Sequence, residues 1–417
     1  MNFRFILTYG LLSLIVLVRI VLTPTPKPFA DGTKVSSHVR VISTPQVIGN
    51  TKQLPITLQG RKVTLVISRF TPLEYGDVVE IAGTVKTTML KSERTVSSIY
   101  FPKVRVIQND PWLPFRIAAF VRGRVETAFS RFLSTSQANL LMGIVFGIPG
   151  SMDKELKTAF QIDGVMHIIA ASGMNVTLLA GLLLPIFGRF LRRQQALILT
   201  IVALGFYCLV AGLSPSIMRA TLMASIGYIG LFMGRQRTAL LSVYLTGCIM
   251  LFITPSNIAD IGFQLSFAAT FGIMLFRPFM PEFHHPLAAF FSQDVSSTVA
   301  AQLTTVPILL FYFHSIGVLS VVVNGLVLWL VPLLMIIGLG AALGSLVSIS
   351  LGGLLALLSL PFLVYFFAVI RLFAGISPVL TLSHMPLSLI VGYYVTLLGV
   401  LGMLSRRRNS EKISSPY

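Results

Sequence analysis

Charge is scarce in this 417-residue chain: 11% of its residues are Asp, Glu, Lys or Arg, against about 25% in ordinary globular proteins. Hydrophobic residues make up 54%, which excludes a soluble enzyme of several domains. Acids are the rarest of all, 14 against 32 Lys and Arg. From residue 164 to 405 there are eight Arg, no Lys and three acids, Asp260, Glu282 and Asp294. Between Asp294 and Arg371 no formal charge occurs, which leaves room for about three bilayer spans of about 20 residues each. Cysteine is nearly absent. Cys208 and Cys248 both lie in apolar runs, so neither a disulfide scaffold nor a thiolate metal site is indicated. The six histidines form no cluster with nearby acids, and His284-His285 falls in a predicted loop, so no metal site is predicted. No Walker lysine motif is present to hydrolyse nucleotides. The chain is read as a polytopic α-helical membrane protein, not an enzyme, with no cofactor.

What is present is a basic surplus, +18 overall. In a membrane protein part of it sets orientation through cytoplasmic loops. Residues 24–110 are different, with twelve basic and six acidic residues and no apolar run long enough to span. Ahead of them, Phe5–Val18 is an apolar run between Arg4 and Arg19, with no small-x-small site at its end. Residues 1–23 therefore read as an uncleaved transmembrane anchor with its N-terminus inside, and the following domain lies outside. From Lys34 to Ile107 the apolar period becomes two, as in Lys62–Ser68, Asp77–Val85 and Lys103–Ile107. Short intervals of Gly, Pro and Asn punctuate these strands, so residues 30–110 are predicted to form a small all-β barrel or sandwich. Its candidate stacking aromatics are Phe70, Tyr75, Tyr100 and Phe101. Residues 112–163 form an amphipathic helical linker, where Arg116, Arg122, Arg124 and Arg131 are interleaved with Ile117, Phe120, Val121, Val125 and Phe129. Such a helix places its cations on one surface and either lies on the membrane or caps a bundle. Gly143 and Gly147 have the spacing for close helix contact.

Residues 164–405 read as about nine spans: 165–188, 196–213, 216–233, 238–254, 262–279, 296–313, 318–342, 350–371 and 386–404. With the anchor they make about ten. Alternation from an external β domain puts Arg189, Arg192, Arg193, Arg235, Arg237, Arg277 and the basic tail, 406–417, in the cytoplasm, and Arg371 alone on the wrong side. The hydropathy of 296–385 is continuous enough to hide broken or re-entrant helices.

Polar side chains inside spans are costly, so each marks a functional position or a helix–helix hydrogen bond. His167, Ser172, Gly173 and Asn175 open the first core span, with His167 and Asn175 two turns apart. Arg219 follows Ser214-Pro-Ser216, where a cation is expected near the outer surface. Asp260 and Gln264 share a face at i, i+4, with Ser266 beyond them, and Asn324 stands alone between Pro307 and Pro332.

Three of these stretches, Phe160-Gln-Ile-Asp-Gly-Val-Met-His167-Ile-Ile-Ala-Ala-Ser172-Gly173-Met-Asn175-Val, Ser214-Pro-Ser-Ile-Met-Arg219-Ala-Thr-Leu-Met and Asp260-Ile-Gly-Phe-Gln264-Leu-Ser266-Phe-Ala-Ala-Thr270, resemble the hallmark blocks of the ComEC competence proteins. Val306-Pro307 and Asn324 also fit, so the resemblance covers about 140–342. Tyr75-Gly-Asp77-Val-Val-Glu-Ile-Ala-Gly83-Thr-Val resembles the family's extracellular OB-like domain. The family usually has His at Asn175, so a titratable imidazole is lost there. Many members also carry a C-terminal metallo-β-lactamase-like nuclease domain. This chain ends twelve residues after its last apolar run, which suggests a short form with the nuclease on a separate polypeptide or dispensed with.

The resemblance implies a channel for single-stranded DNA across the bacterial cytoplasmic membrane during natural transformation, with the β domain outside. Candidate partners are single-stranded DNA, membrane lipids, a DNA receptor protein, a cytoplasmic translocation ATPase, a separate nuclease and further copies of the chain. Two alternatives remain: a secondary carrier for a small anion or lipid, and a membrane scaffold for a separately encoded nuclease.

Overall fold

The computed structural model describes residues 3–23, 29–41, 46–48, 51–71, 73, 75–89, 95–108, 112–148, 154–169, 173–234, 239–280, 286–381 and 386–414. Helix α1 (Phe3–Leu22) precedes seven strands: β1 (Lys34–Arg40), β2 (Gln46–Ile48), β3 (Thr51–Leu58), β4 (Arg61–Ser68), β5 (Val78–Met89), β6 (Thr95–Tyr100) and β7 (Lys103–Gln108). Their alternation is visible in β3, where Leu54, Ile56 and Leu58 are buried while Pro55 and Thr57 face out. The strands form one curled sheet in the order β1-β5-β6-β4-β3-β2, with β7 also on β5. β5 makes the curl possible. Its first part pairs with β1 and β7, and Val85–Met89 turns onto β6. At the bend a Cβ on Gly83 would stand 2.6 Å from Ile99 Cγ2, so only glycine permits that approach. Inside lie Leu54, Leu65, Ile67, Val79, Ile81 and Ile99.

The remaining elements are α2 (Leu113–Phe132), α3 (Thr135–Phe146), α4 (Lys154–Ile162), α5 (Met166–Ile169), α6 (Gly173–Phe190), α7 (Arg193–Val210), α8 (Pro215–Phe232), α9 (Ala239–Ile253), α10 (Ile261–Phe276), α11 (Pro286–Phe313), β8 (Ser315–Gly317), α12 (Ser320–Val327), α13 (Leu330–Val347), α14 (Ile349–Leu357), α15 (Leu360–Ala374), β9 (Val379–Thr381) and α16 (Leu387–Ser414). The chain divides into two compact units. One comprises Met1–Asp153, His167–Asp260 and Pro332–Val364, the other Lys154–Met166, Ile261–Val331 and Tyr365–Tyr417.

In the first unit α2 packs against α3, α7 and α14, and α6, α7, α8 and α9 pack in sequence. Gly353 of α14 lets Phe132 of α2 approach so closely that a Cβ would stand 1.9 Å from its Cδ2. Gly147 does not extend a helix–helix stripe with Gly143, as its spacing suggested. It ends α3 at φ 64°, its N–H donating to Gly143 O at 2.7 Å.

In the second unit α11 packs on α10, α12 and α16, and β8 pairs with β9. Pro307 lies inside α11 and has no N–H to offer Leu303 O one turn back. Tyr393 of α16 donates to that oxygen at 2.8 Å, and Tyr394 donates to Thr304 O at 2.7 Å. A helix that proline would break in lipid is thereby kept satisfied.

Among the described residues five helical segments are long and apolar enough to cross a bilayer: Gly173–Phe190, Arg193–Val210, Val295–Phe313, Leu330–Val347 and Ser388–Arg406. The pair α14 and α15, bent by 52°, makes at most a sixth. The other members of the expected ten are shorter or interrupted. α9 and α10 stop at 15 and 16 residues, the apolar part of α1 is Tyr9–Leu22, and α8 carries Arg219. Residues 318–342, expected as one span, are divided into α12 and α13.

Candidate functional site

The expected polar residues of the first unit gather around buried helix ends. α3 ends beneath α6 and α7, and its last carbonyls have no partner within their own helix. Asn175 of α6, 1% exposed, donates Nδ2 to Ile144 O at 2.7 Å. Tyr207 of α7 donates to Val145 O at 2.7 Å and also hydrogen-bonds Asn175. An amide, not a titratable imidazole, does this work.

The end of α7 is held by the β domain and α2 together. Tyr75, expected as a stacking aromatic, is instead buried and donates its hydroxyl to Leu209 O at 2.8 Å. Arg122 was expected on a basic surface. It is 6% exposed, its guanidinium carbon lies 3.8 Å from the Tyr75 ring centroid, and its Nε donates to Val210 O. Burial lowers its pKa to about 10, which leaves it charged at neutral pH. Arg124 is half-buried and serves α13 the same way, donating to Ser345 O at 3.1 Å and Leu346 O at 3.3 Å. Positive charge at a helix C-terminus meets both the unpaired carbonyls and the negative end of the macrodipole. Arg116 and Arg131 are exposed, beside the exposed apolar side chains Ile117 and Phe120. α2 is thus a bundle-capping helix whose outer face is apolar as well as basic. Periodicity sorted these residues onto faces but could not tell which face other helices would cover.

Four residues beyond the end of α7, Ser214 leads into α8 with Pro215 at its first position. Arg219 is 7% exposed rather than superficial. A Cβ added to Gly173 would lie 3.4 Å from Arg219 Nη2, in ordinary contact, so the start of α6 and the guanidinium are neighbours. The β domain, the start of α8 and the Gly173–Arg219 contact therefore share one region of this unit. At the other end of α7, about 27 Å away for 18 residues, Arg189, Arg192 and Arg193 are exposed.

The other expected residues are dispersed. His167 is exposed on α5, Asp260 is half-buried ahead of α10, and Ser172 lies outside the described residues. Gln264, Ser266 and Asn324 belong to the second unit, the first two half-buried on α10 and Asn324 1% exposed on α12. Among the described residues no group of three His, Cys, Asp or Glu could hold a metal ion. His284, His285 and His384 are outside them.

Asp163 was missed. It is fully buried, and neither carboxylate oxygen has a hydrogen-bond partner among the described residues. Its signal was an Asp-Gly pair closing a helix just before an almost acid-free stretch; acids counted from residue 164 leave it one position outside.

Comparison with known proteins gives these contacts a family. The chain is 28% identical over 205 residues to ComE operon protein 3 of Bacillus subtilis (strain 168), covering 49% of this chain and 26% of that protein. It is 25% identical over 220 residues to an uncharacterized protein of Aquifex aeolicus (strain VF5), covering 52% of this chain and 50% of the relative. The matches thus span half or less of these relatives' lengths. No solved structure matches. The family model described as competence protein matches residues 144–408, well over half the chain and all three sequence blocks. The chain belongs to the competence protein family.

Proposed function

We propose that the protein acts in DNA uptake as a channel subunit that carries single-stranded DNA across the bacterial cytoplasmic membrane, with its β domain as an OB-like receiving platform outside. The observation that carries this reading is the docking of the basic β domain, through Tyr75 and Arg122, onto the helix end from which the chain turns to Arg219. A strand with one negative charge per nucleotide needs an electropositive path. The described helices from α6 onward supply Arg219 at the β-domain end and very few acids. The exposed Arg189, Arg192 and Arg193 at the far end of α7 favour the cytoplasmic side there.

The platform has the aromatics for sequence-tolerant stacking. Phe70, Phe101 and Tyr100 are 85%, 64% and 55% exposed. A cleft of about 210 Å³ opens beside Phe101, lined also by Ile67, Ser68, Thr71, Pro102 and Val104. Phe101 takes φ 47°, held by its N–H to Val66 O at 2.7 Å. That left-handed backbone is uncommon for a bulky residue and points to a role for the presented ring.

The test follows labelled DNA in a naturally transformable host. Deletion should leave DNA bound at the cell surface but abolish the nuclease-protected single strand. A well-expressed Arg219→Ala protein should lower protected DNA roughly tenfold to a hundredfold, the loss of one charged hydrogen bond. Unchanged uptake in the deletion strain would remove the channel reading.

A further inference from the structure

The geometry points to a proton-binding site at Asp163, a buried carboxyl that takes up a proton from water at mildly acidic pH and releases it as the pH rises. Among the described residues no group donates a hydrogen bond to it. α4 ends in a left-handed glycine cap: Gly164 has φ 68°, Gly164 N–H donates to Gln161 O at 3.2 Å and Val165 N–H to Phe160 O at 3.0 Å. Asp163 is the residue on which that cap turns. A carboxylate there faces the negative end of the helix and its carbonyls, none of which can donate to it.

Nor can the residue swing out. A Cβ on Gly317 of β8 would stand 1.6 Å from Ile162 O, and one on Gly164 would stand 2.7 Å from Ser320 Cβ. The Gly317 backbone lies directly on that of Ile162, and Gly164 lies against the Ser320 side chain. Phe160, fully buried, stacks on Phe366 at 5.9 Å.

The polar side chains nearby on the packed elements are Ser320 and Asn324. Ser320 Oγ already accepts from Gln302 Nε2 at 3.0 Å. One turn along α12, Asn324 Oδ1 is buried without a partner. A carboxylate and an amide oxygen are both acceptors and cannot pair until the carboxyl carries a proton.

Ionisable groups on the packed elements are few. Among described side chains, β8, β9 and α12 contribute none. α11 offers Tyr312 and ends beside His314, whose Nδ1 is also buried without a partner. α15 carries Tyr365 and Arg371, both exposed, and α4 carries Glu155 and Lys157, both exposed. Burial alone raises the Asp163 pKa to about 6.

The experiment is infrared difference spectroscopy of the full chain in lipid nanodiscs, titrated from about pH 8 to about pH 5 across the carboxylate-to-neutral range. The stretch of a protonated carboxyl should grow with a midpoint well above that of an ordinary aspartate. Carboxyl-¹³C aspartate should shift it, and Asp163→Asn should remove it. Asp163→Glu, which covers the case of an asparagine variant that does not fold, should keep a band that the aspartate label no longer moves. An identical band in Asp163→Asn, or a midpoint at the ordinary value of about 4, overturns the proposal. So does stabilisation by sodium chloride with no carboxyl band, which would mean a bound cation. The site goes beyond the channel reading and is read without DNA, so either can fail while the other stands.

Discussion

The ends of α3, α7 and α13 in the first unit and of α4 in the second are treated in opposite ways. In the first, α3, α7 and α13 end against donors: Asn175 and Tyr207, then Tyr75 and Arg122, then Arg124. In the second, α4 ends on Asp163, an acid without a partner. A C-terminal turn presents unpaired carbonyls and partial negative charge. Arginine, tyrosine and amide side chains answer both, whereas a carboxylate answers neither until it is protonated. The first unit's ends are therefore fixed, and the second unit's is conditional on pH.

Breaking the best-served end should have the largest effect. Arg122→Ala removes a charged hydrogen bond of about 1.5–3 kcal/mol and a cation–π contact of about 0.5–2 kcal/mol. We expect a loss of about 3 kcal/mol, seen as a lower unfolding temperature and faster proteolysis between the β domain and α2. Arg122→Lys should recover only part of it, because one ammonium cannot both lie over Tyr75 and follow the guanidinium's geometry to Val210 O.

The unserved end should respond with the opposite sign. Between the ordinary aspartate value of 3.8 and about 6, the folded chain holds more protons than the unfolded chain. Stability must fall as pH rises through that window and stay low above it. Asp163→Asn should be the more stable protein at about pH 7 and above, by roughly 1–3 kcal/mol for relieving an unsatisfied buried group, and lose its advantage at about pH 4. A variant equally destabilised at both pH values would end the contrast between the units.

Smaller changes sharpen the comparison. Tyr75→Phe keeps the ring beneath Arg122 and deletes only the hydroxyl, so about 1 kcal/mol is expected. Arg124→Ala, at a half-exposed site, should cost about 0.3–1 kcal/mol. Thermal unfolding of the purified protein measures both.

Much of the fold was legible because it depends on period and composition. Lys62–Ser68, Asp77–Val85 and Lys103–Ile107 lie in β4, β5 and β7 with boundary shifts of a few residues. Apolar runs gave the helices, though not their interruptions: α12 gives way to α13 near Leu328 and Trp329, where Pro332 has no N–H to offer Leu328 O. Of the candidate site, Gly173 and Arg219 do meet, and Asn175 is buried at a helix junction. Arg122 and Tyr75 could not be placed. A helical wheel sorts residues by face, and it takes a neighbour to make one face the inside.

By itself, the sequence determined that this is a helical chain of membrane character with a basic β domain near its N-terminus, and three short blocks marked its family. Those properties follow from hydropathy, charge and local spacing, which need no knowledge of distant contacts. Only the tertiary structure decided which charges are exposed. It buried Arg122 under Tyr75 and Asp163 behind Gly164 and Gly317, because burial depends on which segments, far apart in the chain, come to share one space.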